Sequence, residues 1–204
     1  MQNVSATRMT LLDMRRRVEL AARGHRLLSE KRDEISRQLV QIAARIKPLR
    51  EAVNQELQQA FKRFMLARAM MEPEDFKAAL EVSDRKNALE VAFSRIMNVE
   101  VPHLTRKAEG DIIAYGFSYT SGELDVALTI LERVMQRLVE LAEIEKQARL
   151  LASELLRTRR RVNMLEHRVI PELRSTIRYI GDKLNEAERD NITRLMKIAD
   201  IIRQ

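Results

Sequence analysis

Residues 11–60 read LLDMRRRVELAARGHRLLSEKRDEISRQLVQIAARIKPLREAVNQELQQA. Taken from Leu11 in alternating steps of three and four, the stretch passes through Met14, Val18, Ala21, His25, Leu28, Arg32, Ile35, Leu39, Ile42, Ile46, Leu49, Val53, Glu56 and Ala60. All but His25, Arg32 and Glu56 are apolar. A stripe held for about seven heptads is the pattern of one long helix seamed against another. Residues 5–70 as a single helix would run roughly 100 Å at the helical rise. Pro48 lies inside it, removes one hydrogen bond, and predicts a bend without a break.

The second half carries a matching stripe: Ile144, Ala148, Leu151, Leu155, Thr158, Val162, Leu165, Val169, Leu173, Ile177, Ile180, Leu184 and Ala187. Its helix is expected to begin near Thr120, where Thr120 and Glu123 have the spacing of a capping box. Between Val169 and Ile177 the steps become four and four, a stutter that locally unwinds a left-handed supercoil, and Pro171 falls in the same place. Closing a hairpin between residues 70 and 124 predicts antiparallel pairing in which facing positions add to about 194. Arg32 would then lie beside Val162 and near Glu166, with His25 near Val169.

Residues 71–120 change character. Glu72-Pro73-Glu74 opens a short helix with proline in its first turn. Asn98–Leu104 and Ile112–Tyr119 read as short β-like runs, with Gly110-Asp111 available for the turn between them. Two strands alone are marginal in water and need a helix or a partner to pack on. The aromatic side chains Tyr115, Phe117 and Tyr119 in the second run are candidates for partner contact. The expected fold is therefore mainly α. A long antiparallel two-helix coiled coil is formed by residues 1–70 and 121–204, and a small head over 71–120 contains short helices and a β-hairpin.

Composition agrees and excludes much else. Of 204 residues, 33% are charged and only 4% aromatic, with five Gly, four Pro and no Trp. Such a chain builds aliphatic seams, and a β-sandwich or barrel is ruled out. Without cysteine there are no disulfides, thiolate metal sites or cysteine nucleophiles. No apolar run approaches a membrane span and MQNVSATRMT lacks a signal-peptide core, so a soluble intracellular chain is expected. The net charge of +7 suits nucleic acid, an anionic membrane surface or an acidic protein. Arg outnumbers Lys about three to one, which favours specific pairing with carboxylates or phosphates.

Catalytic signatures are missing. There is no phosphate-binding glycine loop, no dinucleotide fingerprint and no HExxH helix. His25, His103 and His167 lie in separate segments without a second imidazole three or four residues away. His25 occupies the seam; the other two read as surface residues. The densest basic cluster is Arg157, Arg159, Arg160 and Arg161 around Thr158. With successive residues turned by about 100°, these arginines encircle the helix instead of forming one stripe. They are either solvated and paired with nearby acids or a contact surface for a partner. Asn163 and Glu166 beside the second seam, with Arg32 and Asp33 on the first helix, suggest a polar register lock inside the coiled coil, with His25, Leu28, Val162 and Leu165 as further register candidates.

Certain runs are more specific. Thr7-Arg8-Met9-Thr10-Leu11 and Arg23-Gly24-His25-Arg26-Leu27-Leu28-Ser29-Glu30-Lys31-Arg32-Asp33-Glu34, joined by Thr158-Arg159-Arg160-Arg161-Val162-Asn163-Met164-Leu165-Glu166, Ile170-Pro171-Glu172-Leu173 and Thr176-Ile177-Arg178-Tyr179-Ile180, resemble the D subunit of the V-type and A-type rotary ATPases. Val101-Pro102, Tyr115-Gly116 and Glu123-Leu124-Asp125 follow in the same order, so the likeness covers nearly the whole chain. That family typically has Ala where this chain has Met164.

The resemblance implies a non-catalytic central rotor shaft. Two long helices would enter the bore of a hexamer of catalytic and nucleotide-binding subunits, coupling ATP synthesis or hydrolysis to proton or sodium transport. A small central-stalk partner, the F subunit, would bind alongside, and a funnel-shaped subunit would connect the shaft to the membrane ring. The chain would sit on the cytoplasmic side, with no cofactor, no nucleic acid and no membrane insertion of its own. Arg157, Arg159, Arg160 and Arg161 would be hexamer contacts. Composition and periodicity alone leave two rivals: a basic coiled coil that binds nucleic acid, and a cytosolic tether or export stalk.

Overall fold

A computed structural model describes residues 5–82, 85–116 and 120–203. The fold is mainly helical: α1 (Arg8–Met70), α2 (Pro73–Glu81), strands β1 (Lys86–Ile96) and β2 (Val99–Glu109), α3 (Gly122–Met164), a π-helical turn (Leu165–Val169) and α4 (Ile170–Arg203). The chain divides into two compact units, Met1–Glu34 with Leu155–Gln204, and Ile35–Glu154.

Helix α1 starts where its sequence can satisfy the first free N–H groups. The Thr10 N–H donates to Thr7 Oγ1 at 3.1 Å and the Thr7 N–H donates to Thr10 Oγ1 at 3.0 Å, a reciprocal cap with threonine in the place usually held by Glu. Pro48 sits inside the helix, which continues through it. Pro48 and Ala44, the carbonyl left without its donor, are both exposed, so water can replace the lost bond. Every position of the first stripe is buried or half-buried, as is every position of the second except Ala187.

In the unit formed by the two chain ends, α1 runs antiparallel to the pair α3–α4. Arg8 meets Glu188 at 2.6 Å, and seventeen residues later His25 meets Glu166 at 3.4 Å. Val162, Thr158 and Ile180 are sealed. The stutter takes a definite physical form here. In an uninterrupted α-helix Leu165 and Ile177 would diverge by ~120° around the axis, because twelve residues are three turns plus a third. The π turn, in which the Ile170 N–H reaches the Leu165 carbonyl, accommodates one extra residue and cuts that divergence to ~20°. Leu165, Val169, Leu173 and Ile177 thus remain on one half-buried stripe. Pro171 follows directly; having no N–H to donate, it fits where the hydrogen-bond ladder shifts register.

In the unit Ile35–Glu154, α1 packs antiparallel on α3. Val53, Ala60, Ile130 and Val134 form one cluster, with Leu57 against it. Ala67, Phe76, Ala79, Tyr115 and Leu124 form another, joined by Phe64, Met71, Ile113 and Leu128. Phe64 and Phe76 meet edge to face, with centroids 5.1 Å apart. Ion pairs flank the apolar strip: Arg50 with Glu145, Arg137 with Glu56, Arg45 with Glu140, and Arg63 bidentate on Glu123 at 2.7 and 2.9 Å. The pairs Arg50–Glu145 and Glu56–Arg137 match the expected register. Arg45–Glu140 and Arg63–Glu123 fall short of it, bridged by long side chains.

The head departs from expectation in two ways. Its hairpin pairs Lys86–Ile96 with Val99–Glu109 and turns at Met97-Asn98, whose φ values of 49° and 65° are those of a two-residue I′ turn. The expected strand Asn98–Leu104 therefore falls in β2, except Asn98, which is a turn residue. Ile112–Gly116 carries no strand, and Gly110 with φ 89° ends β2 instead of turning it. The alternation of Leu89, Val91 and Phe93 is masked by the Lys, Ala and Glu around it, which favour helix. The cap of α3 also moves: Ser121 Oγ accepts from the Glu123 N–H at 3.3 Å, while the Thr120 hydroxyl donates back to the Gly116 carbonyl. Helix α3 begins at Gly122, which puts serine in the capping position.

The hairpin is fastened to α3 by two glutamates eleven residues, or about three turns, apart on one face. Glu143 accepts from the Leu104 N–H at 2.8 Å and pairs with His103 Nδ1 at 2.9 Å. Gln147 donates to the Pro102 carbonyl. Glu132 accepts from Arg106 at 2.8 and 2.9 Å and from Arg85. These bonds, Arg106 first, hold the Glu132 carboxyl below its ordinary range against the opposing effect of burial. Tyr115 is buried and donates to Asp125 at 2.7 Å; burial pushes its phenol pKa up.

Two outcomes are expected. In this cysteine-free chain, Leu28→Cys with Leu165→Cys should form a disulfide on mild oxidation. Leu28→Cys with Leu184→Cys, ~28 Å farther along α4, should not; gel mobility separates the two, and the opposite pattern would refute the register. Because the Glu132 pKa is lowered on folding, its contribution is fully present above the unfolded carboxylate range and lost as pH falls through the lowered folded value. The melting-temperature advantage of wild type over Glu132→Gln should therefore shrink between about pH 7 and about pH 3.

Candidate functional site

The arginine cluster lies on the last two turns of α3, in the unit formed by the chain ends. Thr158 is its inward residue, 2% exposed, one turn before the equally sealed Val162. Once Thr158 is fixed inward, helical geometry sends Arg157, Arg159, Arg160 and Arg161 to the remaining sides, and all four are exposed. Among the described residues, none of the four makes a hydrogen bond or ion pair. This contrasts with Arg8, Arg26, Arg45, Arg50, Arg63, Arg85, Arg106 and Arg137, each of which holds a carboxylate. All four side chains are thus open to solvent.

The register candidates separate by role. Val162 is sealed, while Leu28 and Leu165 are half-buried on the seam. His25 is half-buried and its Nε2 lies 3.4 Å from Glu166 Oε2 across the helix pair. Glu166 belongs to the π turn, so that bond ties α1 to the one place where the second helix changes pitch. Arg32 is half-buried and donates to Asp33 of its own helix at 2.9 Å, and Asn163 is exposed. Among these register candidates, His25 and Glu166 make a polar contact across the helix pair.

Of the aromatic candidates, Tyr115 is a core residue whose hydroxyl is engaged by Asp125. Phe117 and Tyr119 lie outside the described residues. His167 is exposed; His103 is exposed at its ring yet bonded to Glu143. The polar cluster that sequence reasoning missed is Arg85–Glu132–Arg106. Its one legible trace is the spacing of Glu132 and Glu143 on a common helix face; the arginines that meet them come from elsewhere in the chain.

Chemically the surface can attract anions and carboxylates. Among the described residues no three His, Cys, Asp or Glu converge as a metal site. Among the described residues, no helix is long and apolar enough to cross a membrane.

Comparison with known proteins agrees with this architecture. The family model that describes the D subunit of ATP synthase matches residues 10–200. A V-type ATP synthase D subunit from Acetivibrio thermocellus is 46% identical over 203 residues, covering 98% of this chain and 91% of that relative. Proteins with the same description from Fusobacterium nucleatum and Clostridium botulinum are 43% and 42% identical, covering 98% and 99% of this chain and 97% and 96% of their own lengths. The match runs across both helices, the hairpin and the arginine cluster, and the chain belongs to the D-subunit family of the ATP synthases.

Proposed function

We propose that this rotary-ATPase component is the non-catalytic central shaft of a V/A-type ATP synthase. It couples ATP synthesis or hydrolysis in a surrounding hexamer to proton or sodium transport through a membrane ring. The observation that carries this reading is the set of four exposed, unpaired arginines around a tightly seamed helix pair. A part that turns inside a ring must be stiff within and must not bind any one orientation strongly. The aliphatic seam supplies stiffness, since close-packed side chains resist sliding. Exposed charges contribute roughly 0–1 kcal/mol each, so unpaired arginines can meet acidic loops in succession without trapping the shaft.

On this reading the partners are the catalytic and nucleotide-binding subunits, the small F subunit beside the shaft, and a funnel-shaped subunit toward the membrane. The complex lies on the cytoplasmic side of the membrane. Nucleotide chemistry belongs to the hexamer.

Changing Arg157, Arg159, Arg160 and Arg161 together to Gln should leave helix content and assembly intact, because Gln retains helix propensity. Rotation of a bead fixed to the head, recorded in reconstituted complex, should show reduced but not abolished torque. Unchanged torque would remove the assignment of the cluster, and no rotation in an intact wild-type complex would remove the shaft. Separately, the purified chain should neither bind ATP at micromolar concentration in calorimetry nor release phosphate from it; steady turnover would overturn the non-catalytic role.

A further inference from the structure

The hairpin is held to α3 along β2, and the backbone pattern shows what β1 presents on the other side. In a two-residue I′ hairpin the residues flanking the turn, here Ile96 and Val99, exchange both N–H···O bonds. Counting back from Ile96, the residues Asn87, Leu89, Val91, Phe93 and Arg95 hold the non-hydrogen-bonded positions, with N–H and C=O turned away from β2. Their partners on β2 have the matching parity. Pro102, opposite Phe93, has no N–H to give, and the N–H of Leu104, opposite Val91, goes to Glu143 at 2.8 Å. Gln147 donates to the Pro102 carbonyl at 3.2 Å, so α3 occupies the outer edge of β2 there. Among the described residues no backbone hydrogen bond reaches the outer edge of β1.

Strand β1 lacks the devices that keep an edge from pairing. It runs 11 residues in unbroken register, without proline or bulge. Its outward-bonding positions also carry an apolar row, Leu89, Val91 and Phe93, which are 53%, 50% and 67% exposed. Glu90, the one charge between Leu89 and Ser94, alternates to the other face and is neutralised by Lys107 at 2.6 Å. The pattern is complementary to itself in reverse. Laid antiparallel on a second copy about a two-fold axis at Val91, the strand sets Val91 on Val91, Leu89 on Phe93 and Asn87 on Arg95, and each free N–H and C=O faces a partner. A shift of two residues one way sets Glu90 against Glu90; the other way sets Arg95 against Leu89.

We propose that the outer edge of β1 is the contact surface for a second copy of this chain, closing a four-stranded antiparallel sheet about a two-fold axis at Val91. A two-stranded hairpin gains the extra strands it needs for stability, and the two apolar rows meet as one face. In both copies α3 sits at the far edge of β2, outside the new sheet, and leaves the pairing clear. A contact made by one strand pair is at the small end of specific interfaces, so its dissociation constant is on the order of 10 μM. The inference concerns the free chain and stands apart from the shaft assignment.

The test is sedimentation of the purified full-length chain from about 1 to about 200 μM, over which monomer should give way to dimer. Val91→Pro removes an outward N–H and leaves the ladder to β2 intact, as Pro102 does on β2, and should weaken dimerisation about tenfold or more. A chain that stays monomeric throughout, or a dimer untouched by Val91→Pro, overturns the proposal. The register is read separately, on an edge whose outward groups are unaltered. Ala88→Cys and Ser94→Cys together in one chain should form interchain disulfides on mild oxidation, because Ala88 faces Ser94 of the other copy at a close, non-hydrogen-bonded pair. Within one chain these positions lie ~20 Å apart, and either variant alone sets its cysteine equally far from its copy, so neither single variant should cross-link. Cross-linking of a single variant, or none with the pair, overturns the proposal even where Val91→Pro fails to fold. A free chain that stays monomeric, with β1 amides protected from hydrogen exchange only in the complex purified from its native cell, gives the edge to a neighbouring protein and overturns pairing with a second copy.

Discussion

The aliphatic seam is the interaction on which everything else depends. Each long helix is stabilised chiefly by burying its stripe, since most helical stability in a protein comes from packing an amphipathic face. Ile35, Ile42, Val53 and Ala60 on α1, and Ile144, Leu151, Thr158, Val162 and Ile180 on the returning helices, are the sealed members of that stripe. Burying a single Ile or Leu side chain contributes roughly 1.5–3 kcal/mol. The flanking ion pairs contribute less each because they are largely exposed, and their value lies more in selecting the antiparallel register than in adding stability.

The seam also explains the irregularity in the second helix. An α-helix can keep an apolar stripe in place only if the residues recur at its own period, and the spacing from Leu165 to Ile177 does not. The π turn resolves this by widening one turn, so the stripe is preserved at the expense of regular hydrogen bonding. Glu166 leaves that turn facing His25, which gives the pitch change a polar contact across the pair. The requirement for continuous burial has dictated the backbone geometry.

The head depends on the same helix pair in another way. A two-stranded hairpin has too little buried surface to stand alone, and here Glu132 and Glu143 draw it onto α3 through Arg106, Arg85, His103 and the Leu104 amide. Strand β2 is thereby half-covered, while β1, with Leu89, Val91 and Phe93, is exposed along nearly its whole length. Arg106 and the two glutamates are shielded at these anchors, so their bonds are worth more than a surface pair would be.

Sequence alone determined the helical fold class, the two seams and the place of the stutter, because periodic burial leaves its period in the residue order. It also carried the family likeness, since the arginine cluster and its flanking motifs are contiguous. The hairpin's position was not legible: Lys86–Ile96 contains helix-favouring residues, and its strand state is decided by pairing with Val99–Glu109. Nor could sequence show that His25, not Arg32 or Asn163, makes the polar contact with Glu166, or that Tyr115 turns inward. The Arg85–Glu132–Arg106 cluster was invisible for the same reason. These contacts join residues distant along the chain, and which side chains meet is fixed only when the tertiary fold brings separate helix faces and a strand together.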